Sequence, residues 1–489
     1  MTTTPNQACD LVLFGTKGDL ARRKLLPALY QLEKAGLLCE QSHIIGVARD
    51  DLDRDGYIEL VKTNLVRFLK KETLDEAVWQ ALAAKLHYVQ LDMTNINDYQ
   101  KLAAVTDPSK RITVSYFATP PSLFGDLCRG LAAAGLAAEP SRVVLEKPIG
   151  HDLASSKVIN DQVAEYFKES QIYRIDHYLG KETVLNLLAL RFANAIFASN
   201  WDHNAIDHVQ ITVAEEVGVE GRWSYYDDAG QMRDMVQNHL LQVLSLIAME
   251  PPARLDADSI RDEKLKVLKA LRKIDQTNVQ EKTVRGQYSA GFVAGQAVPG
   301  YLEEEGARPN SKTETFVAIK VDIDNWRWAG VPFYLRTGKR MPKKHSEVVI
   351  CFKPQPHNIF RETYRDLPAN KLIIRLQPDE GVEIQMMNKI PGLGEHMRLQ
   401  QSKLDLSFDE TFESQRIADA YERLLLEAML GNQYLFVRRD EVEQAWQWVD
   451  GIMQAWKASN EPPKSYQAGS WGPVAAISMM ARDERNWDE

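Results

Sequence analysis

Six short apolar runs, interleaved with helical stretches, govern what the first third of this chain can fold into. They cover residues 10–14, 43–48, 86–91, 111–118, 142–146 and 171–175, with helical patterns at 21–34, 122–134 and 152–167. Near-continuous apolar strands separated by helices require a parallel sheet buried on both faces. Right-handed crossovers then place every strand end on one rim. That rim collects Gly15, Arg49, Asp92, Thr119, Lys147 and Asp176. Ligands of such sheets sit at the carboxyl ends of the strands. Pro27 either splits the first helix or starts its longer piece, since proline suits a first turn.

The first strand runs into Gly15-Thr16-Lys17-Gly18-Asp19-Leu20. Strand, glycine turn and helix form the context of a dinucleotide-binding loop. The glycines let backbone amides approach a pyrophosphate, and the helix N-terminus favours its charge. The spacing is Gly-x-x-Gly rather than Gly-x-Gly-x-x-Gly, and a simple tight turn uses the same residues. Arg49 ends the second strand, where an acid would bind ribose hydroxyls and an arginine suits a 2′-phosphate, hence NADP. Asp50 and Asp51 follow it directly, and a solvated loop charge is the competing reading. Asp92, at the end of the third strand, joins the same cofactor-side set. Lys147, in Glu146-Lys147-Pro148, is driven into extended backbone by the proline and could address cofactor and substrate together. A surface lysine before a turn is the alternative.

The stretch Arg174-Ile175-Asp176-His177-Tyr178-Leu179-Gly180-Lys181-Glu182 has the highest density of hydrogen-bonding side chains. Such groups are costly to bury unless each finds a partner. His177 and Lys181 could converge on one anion while Asp176 orients another group; a solvated polar turn is the other possibility.

Beyond it the pattern changes. Helices are expected at 181–197, 230–249, 259–271, 418–430 and 440–456, and strands at 209–216, 315–321, 332–336, 347–352, 371–376 and 382–386. Short links between strands favour a mainly antiparallel sheet with helices on one face, an α+β domain following an N-terminal Rossmann-like α/β domain. The expected domains are 1–175 and 176–489. Residues 460–489 are expected to wrap the surface as ordered coil. An uncovered sheet face suggests a second copy, a homodimer or homotetramer through the C-terminal sheet.

Three candidates in this half carry chemistry. His239 lies where polar helix gives way to an apolar stretch, a setting for a general base or for a satisfied structural histidine. Residues 336–344 form a dense basic cluster, able to hold a phosphate or to sit solvated in a loop. Glu215, ending a strand, could accept sugar hydroxyls or face water.

A net charge of −9 argues against a general nucleic-acid binder and requires a local basic pocket for an anionic substrate. No run of 18 apolar residues exists and the first ten do not resemble a signal peptide, so no membrane span and a cytoplasmic location are expected. Four scattered cysteines show no zinc spacing, and no metal is expected.

These motifs together resemble the glucose-6-phosphate dehydrogenases, bacterial members above all. The likeness is carried by 15–21, 146–148, 174–182, 230–239, 326–339 and 419–423, and it spans nearly the whole chain. The resemblance implies that His239 is the base at the C1 hydroxyl of glucose 6-phosphate and that Asp176 pairs with it. It assigns His177, Tyr178 and Lys181 to the 6-phosphate, and Glu215, Asp234, Lys339 and Lys344 to the substrate. Lys147 would bridge sugar and cofactor, and Arg49 would meet the 2′-phosphate of NADP, with NAD a weaker alternative. The peptide before Pro148 is often cis in the family. Lys17 stands where many members carry serine. Glu383 stands where members with a second, structural NADP carry tyrosine, so that second site is not expected. Two other readings compete: a sugar or inositol oxidoreductase of the Glu-Lys-Pro type, and a non-catalytic NADPH-sensing regulator.

Overall fold

A computed structural model of the chain describes residues 8–69, 73–393, 397–412 and 416–489. The leader-free reading of the N-terminus falls mostly on residues 1–7, outside the described residues. The chain divides into two compact units. One comprises Met1–Lys181, Pro252–Asp262 and Ala418–Glu443; the other comprises Glu182–Pro251, Glu263–Ile417 and Gln444–Glu489. Residues 176–181 and both later segments of the first unit lie within the span 176–489 expected as the second domain.

In the first unit, six strands pair in parallel: β1 (Cys9–Phe14), β2 (His43–Ala48), β3 (Leu86–Gln90), β4 (Ile112–Phe117), β5 (Arg142–Leu145) and β6 (Ile172–Ile175). Their order is β6-β5-β4-β1-β2-β3, extended beyond β6 by the antiparallel strand Phe436–Val437. Every residue of β1 and β4 is buried, as a sheet covered on both faces requires. Pro27 lies in the first turn of the helix Leu26–Lys34, so it starts the longer piece; Ala21–Leu25 before it winds as a π-helix. Two helices without a clear sequence signal, Arg54–Phe68 and Glu76–Lys85, connect β2 to β3, each capped by an aspartate. The returning helix Ala420–Leu430 is opened by an Asp419–Glu422 capping box and stopped by Gly431 at φ +88°. Arg142 donates to the carbonyls of Ala428 (2.9 Å) and Met429 (2.6 Å) at its C-terminal end.

The second unit is built on a nine-stranded sheet. Its strands are β7 (Ile206–Ala214), β8 (Thr283–Ser289), β11 (Phe316–Val321), β12 (Phe333–Gly338), β13 (His345–Phe352), β14 (Lys371–Gln377), β15 (Gly381–Lys389) and β16 (Leu399–Ser407), with Lys464–Gln467 at one edge; β9 (Gly291–Val293) and β10 (Gln296–Val298) form a separate hairpin. The order is β16-β15-β14-β13-β7-β12-β11-β8 and then 464–467. Neighbours are antiparallel except β7 with β12 and β8 with 464–467.

Four expectations are corrected here. The helix expected over 230–249 is three pieces. Trp223–Gln231 is kinked at Gly230 (φ +67°), Met232–Leu240 is a π-helix, and Leu241–Ala248 is an α-helix. The helix expected over 181–197 ends at Phe192, with a single further turn at Ala195–Ala198. Glu215 lies one residue past its strand. Residues 460–489 are not plain coil: they supply the edge strand and the helix Val474–Ala481, and bury Tyr466, Met479 and Met480.

Candidate functional site

In the first unit the parallel register brings Gly15, Arg49, Asp92, Lys147 and Asp176 to one rim. The chain leaves β1 for β2 on one side and reaches β4 on the other, so strand order reverses between β1 and β4. That crevice is the ligand position of open α/β sheets. Gly15 stands at it with φ +82°, and a Cβ there would lie 2.4 Å from the Ala118 carbonyl oxygen at the end of β4. No residue but glycine fits that approach. The turn closes through Gly18 N–H to Gly15 O (2.8 Å), and the helix continues through Arg22 N–H to Gly18 O (3.1 Å).

The side chains of this loop divide. Thr16 is buried, its hydroxyl 2.6 Å from Tyr57 Oη. Lys17 Nζ lies 2.8 Å from Asp50 Oδ1, and that hydrogen bond holds the Asp50 carboxyl below the usual range. Asp19 pairs with Arg23 at the surface (3.1 Å), and Leu20 is half-buried at the start of the helix. Arg49 is exposed beside this pair, so Asp50, which blurred its reading in sequence, is engaged by Lys17. Asp92 folds back on its own turn, accepting from Thr94 N–H (3.0 Å) and Thr94 Oγ1 (2.8 Å); these bonds lower its pKa. Lys147 is half-buried and precedes a cis peptide at Pro148.

Residues 176–181 form a tight polar turn. Asp176 is buried and its carboxylate accepts the Tyr178 N–H (2.9 Å), while Leu179 N–H donates to the Asp176 carbonyl (3.0 Å). Tyr178 is buried with its ring edge-on to His177 (5.1 Å), and the Lys181 ammonium stands 4.9 Å from the Tyr178 ring centroid. Gly180 permits close packing: a Cβ there would meet the Ala420 carbonyl oxygen at 2.6 Å. Tyr421, one residue on, lies with its ring parallel to that of His177 (centroids 6.2 Å apart, planes within 9°), and Glu146 accepts a 2.5 Å bond from Tyr116 Oη. Burial raises the pKa values of Glu146, Tyr116 and Tyr421. Sequence reasoning assigned these three residues no role, although Glu146 sits in the Glu-Lys-Pro turn and Tyr421 in the 419–423 motif.

In the second unit the candidates gather around Lys339. Its buried ammonium lies 2.8 Å from Glu215, 3.9 Å from Asp234 and 5.1 Å from the Tyr226 ring centroid. Asp234 and His239 both lie on the π-helix Met232–Leu240, five residues apart. His239 is wholly buried. Gly230 makes the start of that helix possible, since a Cβ there would strike Glu314 Oε1 at 2.4 Å, and Glu314 caps it by accepting Met232 N–H (3.1 Å). Lys344 is exposed in the turn between β12 and β13. Arg336 belongs to the core rather than to any open cluster: it is buried between Trp471 and Trp487 (4.7 and 4.4 Å) and paired with Glu489 (2.9 Å).

Comparison with known proteins gives consistent likenesses. Residues 12–186 match the family model of the glucose-6-phosphate dehydrogenase NAD binding domain, and residues 188–488 that of the glucose-6-phosphate dehydrogenase C-terminal domain. The chain is 66% identical to glucose-6-phosphate 1-dehydrogenase of Dickeya dadantii, covering 100% of this chain and 99% of that protein. Its fold matches a crystal structure of glucose-6-phosphate 1-dehydrogenase from Mycobacterium avium with TM-score 0.84 at 38% identity over 99% of both chains. It also matches a glucose-6-phosphate dehydrogenase solved in complex with its substrate glucose-6-phosphate, with TM-score 0.90 at 35% identity over 100% of both chains.

Proposed function

The chain belongs to the glucose-6-phosphate dehydrogenase family, and from that membership we propose how its residues share the work. It is an NADP-linked oxidoreductase that converts the C1 hydroxyl of D-glucose 6-phosphate to the carbonyl of 6-phospho-D-glucono-1,5-lactone, the first oxidative step of the pentose phosphate pathway. His239 takes the hydroxyl proton, and Asp176 pairs with the imidazole and stabilises its charged form. The resulting alkoxide at C1 expels hydride as it becomes a carbonyl, so one positioned base suffices on the protein side. NADP, when bound, would supply the nicotinamide ring as hydride acceptor. His177, Tyr178 and Lys181 hold the 6-phosphate; Glu215, Asp234, Lys339 and Lys344 hold the sugar. Lys147 reaches both sugar and cofactor.

The loop Gly15, Thr16, Lys17, Gly18, Asp19 and Leu20 receives the pyrophosphate, with Arg49 toward the 2′-phosphate and Asp92 on the same rim. The missing Cβ of Gly15 at the strand-order reversal suits this role, because a dinucleotide needs backbone within reach there. NAD is a weaker alternative cofactor. Glu383 already engages Arg375 (3.4 Å) and Lys403 (3.2 Å) on the second unit's sheet, and a second dinucleotide would compete with it for both cations. One NADP per protomer is the expected stoichiometry.

A homodimer or homotetramer through the C-terminal sheet, in the cytoplasm, completes the reading. All four cysteines are unpaired, as a reducing compartment keeps them, and no helix among the described residues is long and apolar enough to cross a membrane. The observation that supports the mechanism best is a wholly buried His239 on a π-helix shared with Asp234, whose carboxylate reaches Lys339. Formation of reduced nicotinamide, followed by absorbance, is expected with glucose 6-phosphate and NADP, more slowly with NAD, and far more slowly with glucose. Equal turnover of glucose and glucose 6-phosphate would remove the phosphate assignment.

A further inference from the structure

The π-helix Met232–Leu240, with Asp234 in its first turn and His239 near its end, runs on into the α-helix Leu241–Ala248. The far end of that α-helix is firmly anchored. Arg191 donates to the carbonyls of Leu246 (2.6 Å) and Met249 (2.7 Å), Trp201 Nε1 to that of Ile247 (2.8 Å) and Trp328 Nε1 to that of Ala248 (2.8 Å). Four consecutive carbonyls at the helix end thus have buried donors. His239 stands beside this anchored half. Asp234 stands at the opposite end, and there the hold comes from Glu314.

Glu314 has no task in the mechanism, yet it is buried just ahead of β11. A buried carboxyl group is unfavourable unless hydrogen bonds satisfy it. Its Oε1 accepts Met232 N–H (3.1 Å), and its carbonyl accepts Gln231 N–H (2.9 Å). Gly230 leaves room for it, since a Cβ there would lie 2.4 Å from the same Oε1. The next carbonyl, that of Thr315, accepts Lys339 N–H (2.9 Å), and Gln231 Nε2 donates to Thr337 Oγ1 (2.8 Å), two residues before Lys339. Residues 314 and 315 therefore join the start of the helix that bears Asp234 to the strand end that bears Lys339. The Asp234 carboxylate and the Lys339 ammonium stand 3.9 Å apart, outside hydrogen-bonding distance, while Glu215 takes that ammonium at 2.8 Å. A helix start released from its cap can close Asp234 onto Lys339, and a sugar hydroxyl would then have to break a buried ion pair to reach either group.

We infer that Glu314 is a positioning residue of the sugar site: by capping the π-helix at Met232 it holds the Asp234 carboxylate clear of the Lys339 ammonium, so that both can meet sugar hydroxyls. This rests on the assignment of Asp234 and Lys339 to the sugar. Because His239 lies beside the separately anchored half, the consequence falls on binding of the sugar rather than on the chemical step.

The test is a double-mutant cycle read on KM for glucose 6-phosphate, on kcat and on competitive inhibition by inorganic phosphate. Asp234→Ala should raise KM by about tenfold or more. If it does not, the sugar assignment falls and the inference with it. With that assignment intact, Glu314→Met, which fills the volume without an acceptor, should raise KM about tenfold, the scale of one buried hydrogen bond to a charged group, with kcat held within about threefold. Phosphate inhibition should stay within about twofold of the parent, because it reads His177 and Lys181 instead. Glu314→Gln should bring KM back to within about threefold of the parent, since its amide oxygen still accepts Met232 N–H. In the Asp234→Ala background Glu314→Met should add less than about twofold, because its route to the sugar is gone. An unchanged KM in Glu314→Met, a Glu314→Gln as impaired as Glu314→Met, a phosphate constant that rises in step with KM, or a full effect persisting beside Asp234→Ala would each overturn the inference while leaving the sugar assignment in place. A merely structural role would lower the active fraction and leave KM where it was, which overturns it too. Should Glu314→Met fail to fold, Glu314→Asp carries the same test and should raise KM in the same sense, since it keeps a carboxylate but withdraws it by one methylene from Met232 N–H.

Discussion

At position 239 an imidazole is wholly buried on a stretch of π-helix. Replacing it by asparagine keeps a polar group of similar size and removes the proton acceptor. His239→Asn should lower kcat about a thousandfold while KM moves little, as expected of a group used in the transition state. Steady-state kinetics on protein of unaltered melting temperature check this; a matching loss of folded protein would assign His239 to structure instead. Arg49, exposed at the end of β2 beside the Lys17–Asp50 pair, carries a different prediction. Arg49→Ala should weaken NADP far more than NAD, because only NADP has the 2′-phosphate that a guanidinium grips. Parallel losses in the two KM values would withdraw that contact. At this scale residue types were legible but their partners were not. The basic run 336–344 reads as one cluster, yet Arg336 turns inward between two tryptophans while Lys339 is clamped by Glu215, because alternate residues of a strand face opposite ways.

Among elements, the pair β2 and β3 brings two histidines together at the start of the parallel sheet. The rings of His43 and His87 are 4.3 Å apart, with His43 Nδ1 3.6 Å from the buried Asp10 and Arg111 on that same carboxylate at 2.6 Å. Burial lowers both pKa values from the ordinary 6.5; Arg111 lowers them further, His43 and Arg54 add to this at His87, and Asp10 works the other way. A base with a lowered folded-state pKa binds fewer protons folded than unfolded, so stability rises with pH across that window. The contribution is complete above 6.5 and is lost as pH falls below it. Thermal melts of His43→Asn should therefore depend less on pH below 6.5 than those of the parent; identical slopes would show the pair to be uncoupled. The strands of this sheet were legible because their apolar runs are nearly unbroken. The π-helix was not, since i→i+5 winding leaves the residue types of an ordinary helix in place and its start depends on Gly230 meeting Glu314 from a distant strand end. Strand β16 escaped notice for the opposite reason: it is exposed along nearly its whole length and carries no buried alternation.

For the whole molecule, the chain returns twice to its first unit, and no local pattern announces this. Residues 418–443 bring Phe436 alongside Ile175, set the Tyr421 ring parallel to the His177 imidazole and put the carbonyls of Ala428 and Met429 on Arg142. A fragment of residues 1–181 lacks all of these partners, leaving the edge of β6 open and the Arg142 guanidinium without its two carbonyl acceptors. It should show no cooperative melt and no NADP binding, whereas adding 418–443 through a linker should improve both; a fragment that melts cooperatively alone would make the return segment dispensable. The second unit's sheet edge at β16 bears on the proposed assembly. On β16, Leu404 and Leu406 are 61% and 44% exposed, two residues apart and so on one face, opposite Ile384 and Val382 of β15. The other face of the same hairpin is charged, with Glu383, Lys403 and Asp405 joined in ion pairs with one another and with Arg375 of β14. Edge strands left long and apolar on one face invite pairing unless something covers them. A second copy is the simplest cover, because a two-fold contact presents each strip to its twin. Sedimentation should find the parent chain as a dimer or larger, and Leu404→Glu with Leu406→Glu should shift it to monomer, since burying a carboxylate without a partner is strongly unfavourable. NADP affinity should survive, because the glycine loop lies in the other unit. A parent chain that sediments as monomer, or a double variant that stays assembled, would place the contact elsewhere.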